Sequence, residues 1–171
     1  YKGLIDIISK EGVDRDNVIK YCKEAINIQQ KINKDCPSIA TLYYCLSSAL
    51  CAKYLERKSE CKANAKVIND EVNCFAFEAI ESLKKAIKII SEENQDSFSL
   101  GIFNNSLGKI YVEISDFLKA IEFLKKAIGI QVKTEDYLGL ANSYELLGCS
   151  YCNLALNSSR ERYLNKAIEF T

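Results

Sequence analysis

The sequence predicts an all-α fold of antiparallel helix pairs stacked on one another, and three observations lead there. Across 171 residues there is one proline, Pro37, and only seven glycines. That punctuation is too sparse for an all-β chain and suits long helices. A short segment recurs four times: KEAINI at 23–28, KKAIKI at 84–89, KKAIGI at 125–130 and NKAIEF at 165–170. Its alanines, Ala25, Ala86, Ala127 and Ala167, are separated by 61, 41 and 40 residues. Upstream of three copies lies a second recurring segment, reading ATLYYCLSSAL (40–50), GIFNNSLGKIY (101–111) and ANSYELLGCSY (141–151). Self-similarity at a fixed period marks repeat architectures. The unit is a helix A followed by a helix B, with a period near 40.

The first unit, 1–35, is partial. Val18, Cys22 and Ala25 belong to its helix B, and its helix A, around Leu4 to Ile8, is short. The second unit spans 38–94, with Leu46, Ser47 and Leu50 in helix A and Ala79, Leu83 and Ala86 in helix B. Its wider spacing leaves about 20 extra residues around ERKSECKANAKVINDEVN (56–73). A structureless loop of that length is unusual. The stretch lacks Gly and Pro, so a lengthened helical hairpin reversing near Asn69-Asp70 is expected, either a partner site or a tolerated insertion.

In the third unit, 98–134, Phe117, Ile121, Leu124 and Ile128 recur at steps of three and four, with Ala120 and Ala127 between them. This is one apolar helix face with small residues where another helix must come close. Asp116 precedes the run and can cap it, so Ser115-Asp116 marks the A–B turn. Leu107, Gly108 and Tyr111 in helix A are repeated as Leu147, Gly148 and Tyr151 in the fourth unit, 137–171. Glycine inside a helix costs about 1 kcal/mol relative to alanine. It persists where a side chain would block the approach of helix B, and that role is expected of both glycines.

These residues resemble the tetratricopeptide repeat. The third unit matches at Leu107, Gly108, Tyr111, Ala120, Leu124 and Ala127, and the fourth at Tyr144, Leu147, Gly148, Tyr151, Leu164 and Ala167, departing at Arg160. The resemblance covers nearly the whole chain as one repeat domain, 1–171. The family's common period is 34, and the longer unit here is similar to the long-helix repeats of kinesin light chains and peptide-sensing regulators. It implies a right-handed α-solenoid with one lengthened hairpin, whose A helices line a concave groove that holds a peptide or partner helix. The expected groove residues are Tyr44, Ser48, Asn105, Lys109, Val112, Asn142, Glu145 and Cys149, with Asn105 resembling the helix A asparagine that grips a peptide backbone. The carboxylate clamp of some members, built from Lys, Asn and Arg, is not matched: the corresponding positions hold Tyr44, Ser48, Ser106, Asn142 and Leu146.

Composition narrows the function. Lys plus Arg and Asp plus Glu each number 23, so net charge is zero and the basic surplus of a nucleic-acid binder is missing. No run of 18 apolar residues suggests a membrane span, and no secretory pattern opens the chain. The eight cysteines are therefore read as free thiols of a reducing, cytoplasmic setting, behaving as small, mostly buried apolar residues. Without histidine the commonest general base and metal ligand are missing. Cys149-x-x-Cys152 is a lone pair inside a helix pattern, whereas structural zinc needs four ligands. Glu113, Asp116 and Glu122 read as caps and solvated faces. The expectation is a protein- or peptide-binding scaffold with no catalytic residues, metal or cofactor. The alternative is a regulatory or sensor arm acting on an effector domain elsewhere. The chain starts at Tyr1, has no Met and stops at Phe170-Thr171 inside the last B segment, so it reads as a piece of a longer protein. Its C-terminal edge would dock further repeats or another domain.

Overall fold

The computed structural model describes residues 14–32, 37–63, 70–93 and 97–169. Among the described residues there are six helices: α1 (Arg15–Ile32), α2 (Pro37–Ala63), α3 (Asp70–Glu93), α4 (Ser97–Glu113), α5 (Phe117–Lys133) and α6 (Tyr137–Glu169). Among the described residues there is no strand, and none of the helices is long and apolar enough to cross a membrane. The all-α expectation holds among the described residues, and the packing of α1 on α2, α2 on α3 and α5 on α6 is compatible with a helical repeat. The expected helix A around Leu4 to Ile8 lies outside the described residues. The chain groups into two compact units, Tyr1–Phe103 and Asn104–Thr171.

In the first unit α2 packs against both α1 and α3. It is accordingly apolar on more than one side, burying Ile39, Tyr43, Leu46, Ala49, Leu50 and Tyr54. Helix α3 has a single stripe, Val72, Ala76, Ala79, Leu83, Ala86 and Ile90, at steps of three and four. A fully buried leucine such as Leu83 contributes about 1.5–3 kcal/mol. Within the 56–73 stretch α2 runs on to Ala63 and α3 begins at Asp70. The reversal expected near Asn69-Asp70 borders residues 64–69, which lie outside the described residues. Arg15–Glu56 and Lys53–Asp16 ion pairs join α1 to α2. Pairs of this partly exposed kind contribute little, about 0–1 kcal/mol each.

In the second unit, the α4–α5 turn satisfies the free carbonyls at the end of α4. Ser115 takes a left-handed conformation (φ 64°). The Asp116 amide donates to the Tyr111 carbonyl at 2.9 Å and the Ser115 amide to Val112 at 3.0 Å, the Schellman arrangement. Asp116 then caps α5, accepting from the Lys119 amide at 3.2 Å. The same solution recurs after α5. Glu135 is left-handed (φ 56°), Asp136 donates to the Gln131 carbonyl at 3.0 Å, and its carboxylate caps α6 by accepting from the Gly139 amide at 3.0 Å.

Gly108 fulfils its expected role. A Cβ there would lie 2.7 Å from Leu124 Cγ, so only glycine allows α4 and α5 to close. Leu107, Ala120, Leu124 and Ala127 seal this contact, and the Tyr111 ring stacks on Phe123 at 5.5 Å. The fourth unit departs from expectation. Residues 137–169 form one unbroken helix of 33 residues, not an A–B pair. The third unit turns at Ser115-Asp116, but Ala155-Leu156 stands 40 residues later. Those residues offer neither a cap nor ready left-handed backbone, and both favour helix. Gly148 is correspondingly exposed, and a Cβ there would meet nothing within 4 Å. The two glycines are not equivalent.

Opposite outcomes follow for one substitution at the two sites. Gly108→Ala should destabilise by about 1–3 kcal/mol, whereas Gly148→Ala in dilute solution should gain up to about 1 kcal/mol of helix propensity; urea unfolding of both checks this. At Asp116, burial pushes the carboxyl up, but hydrogen bonds from the Lys119 side chain and amide, with its charge, outweigh this and hold it below the ordinary 3.8. The cap's contribution is therefore full above that pH and lost as pH falls through the lower folded value. Asp116→Ala should cost about 1 kcal/mol at neutral pH, and the difference from the parent should disappear in acid unfolding profiles.

Candidate functional site

Several of the side chains expected to bind a partner are engaged within the fold. In the first unit the half-buried Tyr44 ring stacks on Phe103 at 4.9 Å. The Ser48 hydroxyl donates to the Tyr44 carbonyl one turn back at 3.0 Å. Tyr44 thus serves packing as well as surface, and Ser48 satisfies its own helix.

In the second unit a chain of polar groups joins three helices. One N–H of the Asn105 amide on α4 donates to the Ser143 hydroxyl on α6 at 2.5 Å. Ser143 donates onward to Gln131 Oε1 on α5 at 2.8 Å. Ser143 and Gln131 are both buried, so each satisfies a group that would otherwise be costly. Gly139 makes the room: a Cβ there would sit 2.6 Å from Gln131 Nε2. The asparagine proposed to grip a ligand is therefore first a tie between α4 and α6. Its Oδ1 and second N–H take no part in that tie and keep the donor and acceptor capacity a peptide group needs.

Around this tie, α4 presents Lys109 and Val112 at helical spacing from Asn105, with Lys109 exposed and Val112 half-buried. Asn142, Glu145 and Cys149 on α6 are exposed and share one face. The six second-unit residues thus belong to two helices joined at Asn105–Ser143. Ser143 and Gln131 escaped the sequence reading because a serine and a glutamine in helical patterns look like ordinary solvated residues; only their burial reveals the role.

A cleft of about 240 Å³ lies in the first unit among α1, α2 and α3 and was not foreseen. Its walls include Lys23, Gln30, Tyr43, Glu78 and Lys85. Lys23 pairs with Glu78 at 2.5 Å, Gln30 Nε2 lies 3.0 Å from the Tyr43 hydroxyl, and Lys85 Nζ lies 5.5 Å from the Tyr43 ring centre. The polar groups answer one another, and no sequence pattern announces a site assembled from three helices.

The cysteines depart from the mostly buried expectation. Among the described residues only Cys45 is buried; Cys22, Cys51 and Cys61 are intermediate, and Cys74, Cys149 and Cys152 are exposed. The last two lie on α6, where no second helix covers them. Among the described residues no group of three or more His, Cys, Asp or Glu side chains is placed to hold a metal ion. Burial pushes the Cys45 thiol up to about 11, helped by Cys22, which is itself raised by burial.

Because the thiolate is the reactive form, alkylation of the folded protein at mildly alkaline pH should label Cys74, Cys149 and Cys152 first. Cys45 should be labelled only on unfolding, and mass spectrometry of time-resolved iodoacetamide digests reads the order. In comparison with known proteins, no family model matches the chain and no curated protein matches its sequence.

Proposed function

We propose that this chain is a tetratricopeptide-like helical-repeat segment that binds a protein or peptide along its A helices, with the second-unit surface around Asn105 as its centre. The observation that supports the reading is the tie between α4 and α6 at Asn105–Ser143, which runs on to Gln131 through a buried hydrogen bond; Lys109 and Val112 lie on the helix of Asn105, and the exposed Asn142, Glu145 and Cys149 on the helix of Ser143. A binding face gains affinity when its scaffold is ordered beforehand, because less freedom is lost on association. Stacked helix pairs commonly bind extended partners in this way. Side-chain amides at Asn105 and Asn142 suit peptide N–H and C=O groups, while Lys109 and Glu145 supply one charge of each sign.

Display of a random extended-peptide library on the chain tests this. Peptides should be retained by the parent and weakened about tenfold or more by the exposed double substitution Lys109→Ala, Glu145→Ala, with melting temperature unchanged. Retention that ignores both substitutions, or no peptide bound by the folded chain, overturns the reading.

A further inference from the structure

The unbroken α6 leaves a helix-packing seam uncovered. In α4, Gly101, Asn104, Gly108 and Tyr111 are all buried. Forty residues later, Ala141, Tyr144, Gly148 and Tyr151 occupy the same places of the repeat on α6, and all four are exposed. The stripe extends in both directions through Tyr137 and Ala155, so large and small residues alternate: Tyr137, Ala141, Tyr144, Gly148, Tyr151, Ala155. The tyrosines remain 74%, 54% and 47% exposed at 137, 144 and 151. Steps of four and three, repeated every seven residues, make a seam shaped for another helix. From Tyr137 to Asn157 the helix carries one charged residue, Glu145, so little opposes its burial.

What should cover the seam is written in the chain. Around Gly108 and Tyr111 the α4 seam is covered by α5, which follows the turn at Ser115-Asp116 and brings Ala120, Phe123 and Leu124, with Ala127 buried on the same helix. The copy of that covering segment is NKAIEF at 165–170, preceded by Leu164. Because α6 continues without a turn, the copy is carried away along the helix axis: Leu164 lies 13 residues beyond Tyr151, about 20 Å at 1.5 Å per residue. A straight helix cannot cover its own face. A second copy can, and with two-fold symmetry each chain donates its 160–169 segment and receives the other's.

We infer that the Tyr137–Ala155 face of α6 docks the C-terminal part of α6 from a second copy of this chain, as an exchanged antiparallel helix pair. The inference rests on the α4–α5 contact and its repeat, not on the peptide-binding reading. It requires only that the opened hairpin be answered by another opened hairpin, the arrangement known as domain swapping.

Sedimentation equilibrium of the full chain over a broad concentration range, with two substitutions, tests it. The parent should pass from monomer to dimer as concentration rises. A Cβ at Gly148 meets nothing within 4 Å and the residue is exposed, so Gly148→Leu should leave the monomer's melting temperature unlowered yet weaken the dimer by on the order of a hundredfold through overpacking at both equivalent contacts. Gly129→Leu, equally open but on α5, should leave the dimer intact. Ala167→Glu, in the donated segment, should weaken the dimer as Gly148→Leu does. A chain that stays monomeric at every concentration overturns the inference; if Gly148→Leu then also lowers the melting temperature, the segment has folded back on its own helix. A dimer that survives Ala167→Glu overturns the exchange in favour of direct pairing of the tyrosine faces.

Discussion

A hydroxyl shut away from water holds the second unit in register. Ser143 has no exposed surface, accepts from Asn105 of α4 and donates to Gln131 of α5. Apolar contacts tolerate sliding, because burial energy depends on area and not on direction. A hydrogen bond between buried groups does not: breaking it strands a polar atom at about 1–3 kcal/mol. The rest follows from this fixed point. Gly139 must lack a side chain so that the Gln131 amide fits, and Asp136 must cap α6 at the turn that delivers Ser143 about two helical turns later. The surface proposed to bind a peptide is the outer side of the same tie.

The recurring Leu-small motif shows how one pattern meets three environments. Leu107-Gly108 lies against Leu124, with no space for a methyl group. Leu46-Ser47 is equally buried in the first unit, where the Ser47 hydroxyl has no hydrogen-bond partner among the described residues. Serine there acts as a small residue whose polarity is a cost. In Leu147-Gly148 the leucine is half-buried and a Cβ on the glycine would face open space. Only the first site makes the small residue obligatory, and the third supplies the free seam on which self-association is argued.

Charge is distributed in keeping with this division. Local pairs such as Glu81–Lys84, Lys88–Glu92 and Glu122–Lys126 sit on outer faces of α3 and α5. They add a few tenths of a kcal/mol each and keep those faces solvated. Helix α6 is nearly without charge through Asn157, so its long uncovered face is the part of the surface least costly to remove from water.

By itself the sequence determined the helical class, the period near 40 of its motifs, the turn at Ser115-Asp116 and the need for glycine at 108. Those features are local or periodic: capping, propensity and apolar spacing act within a few turns of helix and can be read along the chain. The tertiary structure decided what depends on which helix lies alongside. It turned Ser143 and Gln131 into buried ties, gathered the first-unit cleft, left Cys149 and Cys152 in the open and kept the fourth unit as one helix. The repeat motif at 147–151 records a preference for a covering helix, but without a reversal at Ala155-Leu156 nothing local brings that helix back, and burial is settled by the neighbour that arrives.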